Sequence, residues 1–166
     1  MNSLVRVIST GGTIDSSPDY DPDEKSSFHG TYIPQALAEA RLSGEVVLEQ
    51  LMQKDSLDIN AEDRELIRKR CIASPEERIV ITHGTATMSD TARLLGKSDI
   101  GNKTVVLVGS FTPLSQPGSD ALFNLGYAVA SAQLLPAGVW VAISGEVFEW
   151  DNVRKNKEKG RFERIR

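Results

Sequence analysis

Short apolar runs alternate along this chain with longer stretches in which apolar residues recur every three or four positions. Leu4–Ser9, Arg78–Ile81, Thr104–Val108 and Val139–Ile143 are runs of the first kind. Their Val and Ile content suits strands buried on both faces. Glu45–Leu51 alternates and reads as a further strand. Pro34–Leu42 predicts a helix with proline in its first turn and Gly44 closing it. Asn60, followed by Ala61, Glu62 and Asp63, reads as an N-cap with acids in the first turn. That helix runs to about Ala73, before Ser74 and Pro75. Thr87–Leu95, closed by Gly96, is the next helix. Gly118–Leu135 carries Leu122, Leu125, Val129 and Ala132 at helical spacing. Gly11–Gly30 is loop-like, dense in Asp, Ser, Pro and Gly. The alternation predicts an α/β domain with a mostly parallel sheet, helices on both faces and right-handed crossovers. No internal repeat interrupts it.

After Trp150 the pattern is lost. Arg154, Lys155, Lys157, Lys159, Arg161, Arg164 and Arg166 make this stretch strongly basic. It reads as a solvated tail or a subunit contact, unless one lysine reaches into a site.

Composition narrows the function. The 166 residues, 40% hydrophobic and 25% charged, suffice for one domain with a proper core. A net charge of −4 argues against a nucleic-acid partner. No stretch approaches a membrane span, and Arg6 breaks the early apolar run that a signal peptide would need. Cys71 has no second cysteine to pair with, and reads as a buried, inert thiol. These features fit a cytoplasmic enzyme. His29 and His83 have no ligand cluster around them, so no metal site is expected. His83 reads as structural, hydrogen-bonded beside the Gly84 turn.

Two threonine-bearing strings hold the candidate chemistry: Thr10-Gly11-Gly12-Thr13-Ile14, and Thr82-His83-Gly84-Thr85-Ala86-Thr87-Met88. Each follows a predicted strand, and in open α/β sheets ligands bind outside the carboxyl ends of the strands. Glycines there allow close backbone approach and positive φ. Hydroxyls delivered from two strands suggest nucleophilic acyl transfer. The competing reading is that Thr13 and Thr85 only cap helices.

Those strings, with Val108-Gly109-Ser110-Phe111-Thr112-Pro113, Ser119-Asp120 and Asn124-Leu125, resemble the bacterial-type asparaginase family from about Leu4 to Phe162, in order and spacing. The resemblance implies a flavodoxin-like three-layer sandwich. It also implies hydrolysis of the side-chain amide of asparagine by a homo-oligomer, a dimer or tetramer, without metal or organic cofactor. The family has a second, smaller C-terminal domain; this chain resembles its N-terminal domain and is expected to be a short, single-domain form. By position, Thr13 matches the nucleophile and Thr85 the second catalytic threonine. Lys155 falls where the family places the lysine paired with that threonine. Ser56 matches the serine that holds the substrate's α-carboxylate. A loop tyrosine also assists; Tyr20 is the choice here, with Tyr32 the alternative. Gly12 and Gly84 complete the expected substrate pocket.

The sequence departs from the family where substrate is recognised. Ala86 stands where the family has an aspartate that grips the α-ammonium, and Leu57 replaces a polar residue after Ser56. Asp55 or Asp58 could take over that role. Alternatively the substrate lacks an ammonium, or position 86 has been altered. A different small amide, or a non-catalytic amino-acid-binding relic of the fold, are the rival functions. Gly96-Lys97-Ser98 lacks the first glycine of a P-loop and ends a helix. No Gly-x-Ser-x-Gly elbow is present.

Overall fold

The computed structural model describes residues 4–166. Six strands form one sheet: β1 (Val5–Gly11), β2 (Val46–Lys54), β3 (Arg78–Thr82), β4 (Thr104–Val108), β5 (Gly138–Ile143) and β6 (Glu146–Glu149), in the order β2-β1-β3-β4-β5-β6. All neighbours are parallel except β5 and β6. Helices α1 (Ile33–Glu39), α2 (Ala61–Ala73), α3 (Met88–Gly96) and α4 (Ala121–Leu134) cover it.

Alternation along the strands sorts the core into two layers. Ile79 and Ile81 of β3 face Ile67 and Cys71 of α2 and Met88, Ala92 and Leu95 of α3. Val80, between them, faces the opposite layer with Ile33 and Ala36 of α1 and Leu125, Ala128 and Ala132 of α4. The result is the expected three-layer α/β sandwich. Burial pushes the Cys71 thiol up to about 12, so it is unreactive near neutrality. No helix among the described residues is long and apolar enough to cross a membrane.

Several boundaries differ from the sequence reading. The first helix stops at Glu39 because Arg41 takes a left-handed conformation, φ 48°, and Leu42 turns back onto the sheet. β2 runs on to Lys54, because the end of β1 stays paired with it across a bulge, Gly11 opposite Lys54. Gly96 is the last residue of α3, with Lys97 following as the cap, and it packs so closely on Trp150 that a side chain would not fit.

The basic stretch is no solvated tail. A tight turn at Ser144 and Gly145, φ 55° and 77°, sends β6 back along β5. An antiparallel hairpin of β7 (Arg154–Asn156) and β8 (Arg161–Glu163) follows. Val153 and Phe162 bury themselves in the core and carry that hairpin against the sheet.

Candidate active site

The chain leaves β1 toward β2 on one side, while β3 leads to β4 on the other. A sheet of this order opens a crevice where its connections diverge, at the carboxyl ends of β1 and β3. Thr10 Oγ1 donates to the Thr82 carbonyl at 2.7 Å and ties the two ends together. Gly12, at φ 81°, leaves no room for a side chain against the Gly84 backbone. A Cβ on Gly84 would in turn fall 2.5 Å from Ser56 Cβ. These two glycines let three segments, from β1, β2 and β3, touch at one point.

A cleft of about 150 Å³ opens there. Gly12, Thr13, Tyr20, Asp55, Ser56, Gly84, Thr85, Ala86 and Lys155 all line it. Asp58 does not; it is exposed and pairs with Lys25 at 2.6 Å. Tyr32 does not either; it lines a separate groove of about 380 Å³ between α1 and the segment before α4. Neither threonine caps a helix. Thr13 opens a short 3-10 turn, Thr13–Asp15, and α3 begins only at Met88.

The two hydroxyls have separate partners. Thr13 Oγ1 donates to Tyr20 Oη at 3.2 Å. Lys155 Nζ donates to Thr85 Oγ1 at 2.7 Å, bringing β7 to the turn after β3. Burial, with the Lys157 charge nearby, lowers the Lys155 pKa from its usual value. Nζ also lies 5.3 Å from the centre of the Phe111 ring. The Gly12 N–H donates to the Lys54 carbonyl at 2.9 Å. That glycine therefore serves close packing rather than donation into the cleft.

His83 is fully buried, and burial holds its pKa down at about 4, so the ring is neutral. Nδ1 lies 2.8 Å from the Gly84 carbonyl, which can only accept; Nδ1 therefore carries the proton. Nε2 must then accept from Thr91 Oγ1 at 2.9 Å, while Arg64 donates to that same hydroxyl at 3.2 Å. A chain of donors from Arg64 through Thr91 and His83 thus fixes the peptide that carries Thr85.

The carboxylates are unequal. Asp55 is lined up with the cleft, but its oxygens accept the Ser26 and Leu57 N–H groups at 3.0 and 2.9 Å. Burial opposes its ionisation, yet these bonds hold its pKa below the usual range. Glu24, which the sequence reading did not single out, also lines the cleft from the loop, as do Pro22, Ser26 and Leu57. No motif surrounds Glu24; only its place in a loop that folds over the site brings it there. Ala86 and Leu57 give this side of the cleft an apolar rim, Leu57 being 68% exposed. Among the described residues, no three His, Cys, Asp or Glu side chains gather closely enough to hold a metal ion.

Residues 4–162 match the family described as Asparaginase, N-terminal. The chain is 31% identical over 150 residues to a glutamyl-tRNA(Gln) amidotransferase component of Methanococcus maripaludis, covering 86% of this chain and 35% of that protein. It is 30% identical over 174 residues to the glutaminase-asparaginase of Acinetobacter glutaminasificans, covering 93% of this chain and 50% of that protein. The crystal structure of a probable cytoplasmic L-asparaginase from Campylobacter jejuni superposes with a TM-score of 0.79 at 30% identity, over 92% of this chain and 49% of that one. The chain thus spans about a third to a half of the relatives it matches.

Proposed function

The chain belongs to the asparaginase family, and on that premise we propose that it is an L-asparaginase acting through a threonine acyl-enzyme. The observation that carries this reading is the Lys155–Thr85 contact of 2.7 Å, formed in the same cleft as Thr13. A threonine hydroxyl needs an activating neighbour, and the cleft supplies one for each threonine.

Thr13 Oγ1 attacks the side-chain amide carbon of asparagine, with Tyr20 Oη as first acceptor of its hydrogen bond. Backbone N–H groups of the turn after β3 would stabilise the oxyanion; donors of this kind contribute about 3–4 kcal/mol each. The Thr13 hydroxyl proton passes to the amide nitrogen as the carbon–nitrogen bond breaks, and ammonia leaves. Water then attacks the ester; Lys155, whose amine burial favours in the neutral form, takes a proton from that water through Thr85, and a proton returns to Thr13 Oγ1 as the ester bond breaks and aspartate leaves. Ser56, buried beneath Gly84, holds the α-carboxylate.

We place the working protein in the cytoplasm as a homo-oligomer. The name of the Campylobacter jejuni relative supports the compartment. The exposed Phe123, stacked on Tyr127, and the exposed Leu134 support a subunit contact. Light scattering on purified protein checks the assembly.

Ammonia release from asparagine, glutamine and simple amides tests the activity. Thr13→Ala is expected to abolish it while leaving the melting temperature intact. Substantial turnover by a folded Thr13→Ala protein removes Thr13 from the nucleophile's role. Ala86 favours a second reading, because position 86 itself offers no counter-charge to an ammonium. The substrate would then be a small amide lacking one, and succinamic acid would be hydrolysed better than asparagine. Aspartate binding without any ammonia release would instead indicate a binding relic.

A further inference from the structure

Gln116 lies outside the cleft, on the segment between β4 and α4, yet it holds the loop that brings Tyr20 to Thr13. Its Nε2 donates to two loop carbonyls, Pro18 at 3.1 Å and Tyr20 at 3.2 Å. The two preceding residues grip the same strand of chain. Leu114 N–H donates to the Ile14 carbonyl at 3.0 Å, and Ser115 Oγ donates to the Ser16 carbonyl at 2.9 Å. Four hydrogen bonds thus run in step from Ile14 to Tyr20.

The holding segment is itself anchored. The Asp120 carboxylate accepts the Phe111 and Thr112 N–H groups at 3.0 and 2.9 Å, and Ser119 Oγ donates to the Thr112 carbonyl at 2.7 Å. On the loop side little else restrains Tyr20. Its N–H donates to Ser17 O at 3.1 Å, and Pro18 and Asp19 are exposed. A carboxamide suits this place because its nitrogen carries two hydrogens for two carbonyls, and a carboxylate of the same shape has none.

We infer that Gln116 is a positioning residue: it fixes the Tyr20 loop so that the phenol meets the Thr13 hydroxyl, and acyl transfer depends on it. This rests on the roles proposed above for Thr13 and Tyr20. Without Gln116 the tip of the loop loses its tie to the segment before α4, while the sheet and the Lys155–Thr85 contact stay in place.

Gln116→Met keeps the volume and removes both donors; Gln116→Glu keeps the shape and sets a carboxylate against two carbonyl oxygens. Hydrogen–deuterium exchange on the purified protein, without substrate, reads the loop directly. The Tyr20 amide is expected to exchange about tenfold faster in both variants, with β1 and β3 unchanged. The kcat for asparagine is expected to fall about tenfold with little change in KM, as two neutral hydrogen bonds warrant. In a Tyr20→Phe background, Gln116→Met is expected to cause no further loss. Unchanged exchange at residues 16–21 overturns the inference, as does an undiminished kcat or a loss that adds fully to that of Tyr20→Phe. If the wild-type protein releases ammonia from no amide, the proposed function fails, and unchanged or accelerated exchange still decides whether Gln116 holds the loop. If Gln116→Met does not fold, Gln116→Asn, whose amide stops short of both carbonyls, takes its place.

Discussion

Replacing Lys155 by Met separates two roles for the lysine. The methionine keeps an unbranched stem beside Phe111 and loses only the nitrogen that meets Thr85 Oγ1 at 2.7 Å. If Lys155 merely orients that hydroxyl, the loss is one charge-assisted hydrogen bond, about 1.5–3 kcal/mol, or about 10- to 150-fold in kcat. If it accepts a proton through Thr85, the loss falls in the range of about 10²–10⁴ for general-base catalysis. We expect about 10³, with KM changed by less than about threefold. Burial favours the neutral amine, a change that serves proton transfer and not orientation. The wild-type rate should rise with pH toward the lowered Lys155 pKa, and the Met variant should lose that rise. The assay is ammonia release from asparagine across pH, with thermal unfolding to verify the fold. A folded Lys155→Met protein that keeps more than about a hundredth of wild-type kcat refutes the proton-transfer role. So does an equal fall in Lys157→Met and Lys159→Met, whose side chains lie on the exposed part of the hairpin.

Three further predictions follow from the same geometry. His83 has a folded pKa of about 4 against 6.5 unfolded, so its contribution to stability is complete above pH 6.5 and is lost as pH falls toward 4. Between pH 7 and pH 4.5 that loss amounts to about 2 kcal/mol, measured by urea unfolding at the two values, and a His83→Gln protein should show a flatter dependence; equal slopes reject it. Gly84→Ala forces a Cβ against Ser56 Cβ and Oγ, at 2.5 and 2.6 Å, so melting should fall and KM rise. The expected destabilisation is about 1–3 kcal/mol, and wild-type melting with wild-type KM contradicts the close packing. Ala86→Asp should lower KM for asparagine by about tenfold or more and leave succinamic acid unaffected. An unchanged KM means an acid already present, Glu24 or Asp55, binds the ammonium.

The central strands were legible because their function is burial: β3 and β4 are apolar runs that the structure buries almost completely. The capping box at Asn60 and Asp63 was equally local, and α2 starts there. The meeting of Thr13 and Thr85 was legible from strand ends, whereas Ser56 needed the family resemblance. Other parts depended on distant partners. The Ser144-Gly145 turn before β6 is a short-range hairpin signal, but the strand after it, Glu146–Glu149, is too short and too polar at its ends to stand out as one. The hairpin of β7 and β8 was hidden because its exposed residues are charged and only Val153 and Phe162 reach the core. Which of Lys155 and Lys157 turns inward is set by the register of that hairpin, Lys155 opposite Phe162. That Tyr20 lines the cleft and Tyr32 does not depends on how a proline-bearing loop folds back, with Asp15 accepting the Tyr32 N–H at 2.6 Å. No local pattern encodes such a return.

The Lys155–Thr85 contact also sets a timetable for synthesis. Ribosomes add about 5–20 residues per second, so the turns bearing Thr13 and Thr85 leave the tunnel seconds before Lys155 does. During that interval the parallel strands β1 to β4 can pair and the threonine turns can meet, but the Thr85 hydroxyl still lacks its amine. The turns bearing Thr13 and Thr85 thus emerge before the β7–β8 hairpin whose closure brings the Lys155 amine to the Thr85 hydroxyl.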